Sequence, residues 1–119
     1  MPLTIYHNPR CSKSRQTLEL IQQAGVDPSV VLYLENPPTA ERILELAGLI
    51  GVPVIDIARR NEEAFRTADD LPDTDDDTAL AAWIAKHPKV LERPIVVDDD
   101  RRVAVVGRPP DNVQVLLGQ

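Results

Sequence analysis

Cys11 is the only cysteine in this 119-residue chain, and its neighbours suit chemistry. The stretch YHNPRCSKSRQT, residues 6–17, places Arg10, Lys13 and Arg15 around it and His7 four positions before it. A thiol attacks as its thiolate, and nearby positive charge favours that form. The same cations, set beside the free amides of a helix start, also suit an oxyanion or an anionic thiol. His7 is placed to orient or help deprotonate the thiol; the plainer alternative is a strand-end histidine satisfied by backbone. His87, next to Pro88, reads as a helix-end residue favoured by the dipole. A lone cysteine is often only a small buried hydrophobe, and the local positive charge weighs against that.

Two common cysteine sites do not fit. A phosphatase loop needs an arginine six positions after the cysteine, where Thr17 stands. A dithiol needs a second cysteine at the position of Ser14. The Ser14 hydroxyl can hydrogen-bond a thiolate, but it cannot resolve a mixed disulfide. Any covalent adduct on Cys11 must therefore be released by an external thiol.

Composition narrows the classes further. The formal net charge of −6 repels a phosphate backbone, so nucleic acid is not expected as a partner. The acid is unevenly placed. Asp69 to Asp77 carries six aspartates, whereas residues 1–18 carry no acidic residue. One cysteine and two histidines leave little for a metal site, and no organic prosthetic group is implied. No apolar run approaches the roughly 20 residues of a membrane span. The N-terminal stretch lacks secretory features, so a cytoplasmic location is the expectation. The length suits one domain. The oligomeric state is left open, with a monomer as the default.

The elements that must position Cys11 can be read from pattern. LTIYH (3–7) reads as a strand ended by Asn8-Pro9. Residues 12–24 read as a helix with Ser12 as a possible N-cap, an apolar face of Thr17, Leu18, Leu20, Ile21 and Ala24, and Gly25 as its stop. SVVLYLE (29–35) reads as a second strand, completing a βαβ unit. Thr39 caps a helix to about Ile50, ended by Gly51 and Pro53. A shorter helix is expected near Val54 to Arg66. The aspartate-rich stretch reads as a solvated loop whose tail caps a helix from Asp77 or Thr78 to Lys86, with Leu80, Trp83 and Ile84 buried. Residues 95–107 read as a hairpin, and 109–118 as a short helix opened by proline. This order is that of an α/β, thioredoxin-like fold: a mixed four-stranded sheet, flanked by helices, with a helical insertion at about 39–90 between the βαβ and ββα halves.

TIYHNPRCSKSRQTLELI, YLENPPT, RRNEEAF, HPKVLERPIVV and GRPP together resemble the ArsC family, the glutaredoxin-linked arsenate reductases and their relatives. The resemblance runs along essentially the whole chain and implies the thioredoxin-like fold. It also implies that Cys11 attacks arsenate, that glutathione attacks the adduct, and that glutaredoxin resolves the mixed disulfide. Three arginines would bind the oxyanion: Arg59, favoured by register over Arg60, with Arg93 and Arg108. Pro94 matches a proline that the fold carries in cis. The loop CSKSR departs from the small glycine-containing loop of familiar members, and Lys13 adds charge and bulk beside the thiol. Two other functions therefore stand beside arsenate reduction. One is a thiol-redox enzyme of the same family with another substrate, such as a glutathionylated protein. The other is a Spx-like transcription regulator, against which Ser14 argues because no intramolecular disulfide switch can form.

Overall fold

Leu3 and Ile5 alternate with more polar neighbours and point into one core with Ile21, Val96, Val113 and Leu116. The computed structural model describes residues 3–118. β1 (Leu3–His7) lies in the middle of a four-stranded sheet and leads into α1 (Ser12–Gln23). β2 (Ser29–Leu32) then returns parallel to β1, pairing Thr4 with Ser29 through His7 with Leu32. α1 ends where Gly25 takes φ 82, a left-handed turn that glycine adopts without a Cβ penalty. Ala24, expected on the apolar face, is exposed at the C-cap.

β2 is shorter than the alternation of SVVLYLE predicts. The Leu32 carbonyl accepts from both the Glu35 and Asn36 amides at 2.9 Å, and this turns the chain out of the sheet. β3 (Ile95–Asp98) and β4 (Val103–Val106) form the expected hairpin. β3 runs antiparallel to β1, so the sheet order is β2-β1-β3-β4. All of β3 is buried, and it pairs on both sides, with β1 and β4. The last helical piece, Pro110–Val115, is 3-10 rather than α and packs on α1. The mixed sheet and element order are those of the thioredoxin-like fold.

The chain divides into two compact units. One is the sheet unit just described, up to Asn36 and from Arg93 onward. The other, Pro37–Glu92, is helical. In it α2 (Ala40–Ile50) starts at Thr39, whose hydroxyl accepts from the Arg42 amide, and stops at Gly51 with φ 90. The one-turn α3 (Glu63–Arg66) precedes α4 (Asp77–Lys86), which Asp76 caps by accepting from the Ala79 amide. α2 packs on α4, and Ile43 and Leu46 of the first and Leu80 and Ile84 of the second are fully buried.

Two expectations need correction here. Val54 to Arg66 is not one helix but a 3-10 turn (Val54–Ile57), a bridge between Ala58 and Leu91, and α3. The Arg59 amide donates to Val90 at 2.6 Å and Glu92 donates to Ile57 at 2.8 Å, so these groups are taken by distant partners rather than by a helix. The aspartate-rich stretch is more than a solvated loop. Asp70 accepts from the Trp83 indole at 3.0 Å, and Asp77 accepts from the Val54 amide at 3.2 Å. His87 forms the C-cap of α4, with its ring 4.3 Å from that of Trp83.

Candidate active site

β1 delivers His7 and the turn Asn8–Arg10 to the start of α1. Cys11, not Ser12, is the N-cap, with extended φ −96 and ψ 122. The loop closes on itself. The Cys11 amide donates to the Asn8 carbonyl, the Arg10 amide to the Asn8 side chain, and the Arg15 guanidinium to the Pro9 carbonyl at 2.8 Å. That geometry leaves the thiol facing the free amides of the first helical turn.

Partial burial pushes the Cys11 thiol up. The Ser14 amide, the Arg93 guanidinium and the Lys13 amide pull it down further, and the net shift is downward. The result favours a thiolate closer to neutral pH than an ordinary cysteine.

Ser14 acts otherwise than expected. Its side chain is fully buried. Its hydroxyl accepts from the Asn8 amide at 3.0 Å and lies 2.6 Å from His7 Nδ1. Its backbone amide, not its hydroxyl, serves the thiol. His7 likewise contacts the loop rather than the sulfur: among the described residues no hydrogen bond joins His7 to Cys11. Burial, then the charge of Arg15, lowers the His7 pKa. Both effects favour the neutral imidazole, and the ring braces the loop through Ser14.

Two arginines distant in sequence reach the same place. Arg93 precedes β3 and Arg108 follows β4; the pairing of Ile95 with Val106 puts both at the open end of the hairpin. The pairing of Ile95 with Tyr6 sets that end beside the end of β1. Arg108 Nη1 lies 4.0 Å from Cys11 Sγ, and Arg93 hydrogen-bonds the sulfur. The Arg93–Pro94 peptide is cis, as the resemblance implies, and so is Arg108–Pro109.

What fixes this arrangement escaped the sequence reading. A Cβ on Gly107 would lie 2.5 Å from Thr17 Oγ1 and 2.8 Å from Pro94 Cγ. Only glycine lets the hairpin approach α1 so closely. The Thr17 hydroxyl donates to the Lys13 carbonyl at 2.8 Å, with the Gly107 carbonyl at 3.3 Å. The Gly107 amide donates to Pro94, and the Asn112 amide group donates to the Val106 and Arg108 carbonyls. Spacing puts Thr17 on an apolar face and gives no sign of its contact with Gly107, and no local signal marks Asn112.

The third expected arginine, Arg59, belongs to the helical unit. It is half-buried, with Nη1 3.2 Å from Glu92 and Nε 3.9 Å from Glu62, whereas Arg60 is exposed. Among the described residues no group of His, Cys, Asp and Glu is arranged to hold a metal, and no helix is long and apolar enough to cross a membrane.

Comparison with known proteins places these features. The ArsC family model matches residues 6–116. An Escherichia coli K12 protein called uncharacterized protein YfgD is 40% identical over 96% of this chain and 95% of its own length. An Escherichia coli arsenate reductase is 41% identical over 80% of this chain and 67% of its own length. The solved structure of an arsenate reductase from Vibrio cholerae superposes with a TM-score of 0.84 at 41% identity, covering 96% of each chain.

Proposed function

The chain belongs to the ArsC family, and on that premise we propose that it is an arsenate reductase with Cys11 as its nucleophile. The observation that carries this reading is the sulfur's position. It sits at the start of α1 with a lowered pKa, bonded by Arg93 and 4.0 Å from the Arg108 guanidinium.

The Cys11 thiolate attacks arsenic, a sulfur–arsenic bond forms, and one arsenate oxygen leaves as water. Glutathione supplies the second thiol. Its thiolate attacks the Cys11 sulfur, a sulfur–sulfur bond forms, and the sulfur–arsenic bond breaks with its electron pair left on arsenic, which departs as arsenite and leaves glutathione joined to Cys11. Glutaredoxin then exchanges into that disulfide and frees Cys11. Because the sheet unit has no second thiol, this last step needs an outside protein. Arg93 and Arg108 hold the tetrahedral anion and stabilise charge as the thiolate attacks. The resemblance names Arg59, in the helical unit, as a third anion ligand. Its backbone is fixed by the short bond to Val90, which suits it better than exposed Arg60. His7, Ser14, Arg15 and Pro94 support the loop. The reaction belongs in the cytoplasm, where thiols stay reduced.

A second reading keeps the thiol chemistry and changes the substrate, and exposed Lys13 in the CSKSR loop favours it. Coupled turnover separates the two. Purified protein is given arsenate, glutathione, glutaredoxin and an NADPH-driven recycling system, with Cys11→Ser as control. Turnover that vanishes in the control supports arsenate reduction. No turnover, with Cys11 still alkylated fast at neutral pH, supports another substrate.

A further inference from the structure

The steps above leave a cavity at the carboxyl ends of β1 and β2 unused. It measures about 340 Å³, and its lining includes Pro9, Arg10, Leu32, Leu34 and Glu35. Both parallel strands end at it, the place where open α/β sheets bind ligands. Pro9, Leu32 and Leu34 give it an apolar side, on which Leu34 stays 40% exposed, and His7 and Asn8 complete the lining. At the same cavity stand one cation, Arg10, and one anion, Glu35. Among the described residues neither charged group forms an ion pair, not even with the other. Arg10, which lines the cavity, directly precedes Cys11 on the same closed loop.

We propose that this groove seats the thiol co-substrate, a short peptide with a free ammonium group and free carboxylates. The proposal rests on the reading of Cys11 as a nucleophile that needs an outside thiol. Glu35 receives the ammonium, Arg10 receives a carboxylate, and Pro9, Leu32 and Leu34 contact the chain between. A ligand carrying both charges satisfies two groups that the fold leaves apart. A small neutral thiol gains neither contact.

The test uses the whole chain and no arsenate. Cys11 thiolate attacks one sulfur of glutathione disulfide, a new sulfur–sulfur bond forms, and glutathione leaves as thiolate. The rate constant is divided by that for bis(2-hydroxyethyl) disulfide, which carries no charge; this ratio removes any change in the thiol itself. In Glu35→Lys the ratio is expected to fall about tenfold, and in Glu35→Gln about threefold. Glutathione disulfide is a net anion, so a general charge effect of the new lysine would raise the ratio instead. N-acetylation of the probe should cost the unmodified protein a similar factor and Glu35→Lys nothing more. A ratio unchanged within about twofold in Glu35→Lys overturns the groove, as does an equal fall with the acetylated probe. Arsenate turnover is measured on the same preparations. If it is absent while the ratio behaves as expected, the arsenate reading fails and the groove stands.

Discussion

The β3–β4 hairpin carries arginines at both ends, and the two ends use them differently. At the closed end Arg101 donates to Asp98 at 2.7 Å and to the Leu116 carbonyl at 2.6 Å. At the open end Arg108 faces the sulfur of Cys11 at 4.0 Å. Asp98 and Cys11 are both acids whose pKa is lowered. For Asp98 the causes are the Arg101 guanidinium and backbone amides; for Cys11, amides and a guanidinium outweigh its burial. The devices match, so the direction of the shift does not distinguish a site from a brace. Access does. Asp98 is 1% exposed and locked by its neighbours, whereas Cys11 is only half-buried and soft enough to attack. One end of the hairpin spends its cation on folding, and the other aims it at a reactive atom.

Exchanging the arginines one at a time sharpens that contrast. The largest effect is expected in Arg93→Ala: turnover falls about 100-fold or more. The pH midpoint of iodoacetamide alkylation moves up as the thiolate loses its partner. Arg101→Ala should leave that midpoint in place and instead lose about 1–3 kcal/mol of stability in urea melts, because Asp98 is left buried with fewer donors. A shift of the alkylation midpoint in both variants alike breaks the distinction between the ends. Gly107→Ala, at the open end, should cost about 1–3 kcal/mol, since its Cβ overlaps Thr17 and Pro94. It should also slow turnover by displacing Arg108.

The smallest expected effects are pH-dependent. Asp98 has a folded pKa below its unfolded value of about 3.9, so its contribution is present above that pH and is lost as pH falls through the folded value. Asp98→Asn should flatten this acid limb. His7 is lowered as well, and the unfolded chain therefore binds its proton first. Stability should decline as pH falls below about 6.5, and His7→Gln should remove that slope. An unchanged slope in His7→Gln denies the ring its role as a neutral brace.

The sequence carries the parts of this fold that short-range physics determines. Alternation and proline marked β1. The 3.6 period marked α1, α2 and α4, and Thr39, Gly25 and Gly51 marked their ends. Residues 54–66 are not legible locally, because distant carbonyls and amides, Val90 and Glu92 among them, decide their backbone. The end of β2 failed for a smaller reason, a turn closed on Leu32 that overrides apolar alternation. Within the candidate site, Cys11 stood out through its neighbours. Arg93 and Arg108 are ordinary arginines in sequence, and only strand pairing brings them to the sulfur. The resemblance supplied them; periodicity had no means to do so. The Ser14 hydroxyl was assigned to the thiol because spacing shows which residues are near, not which way they turn.

The pairing of Ile95 with Val106 has a consequence for how such proteins can be recombined. Both hairpin arginines near the thiol, both prolines that follow them and Gly107 lie on the continuous segment 93–109. The nucleophile lies outside it, on the loop before α1. Anion recognition and nucleophile are thus carried on separate cassettes that the β1–β3 ladder and the contact of Thr17 with Gly107 bring into register. A chimera that exchanges the hairpin between relatives while keeping the strand register would transplant one half of the chemistry and leave the other untouched.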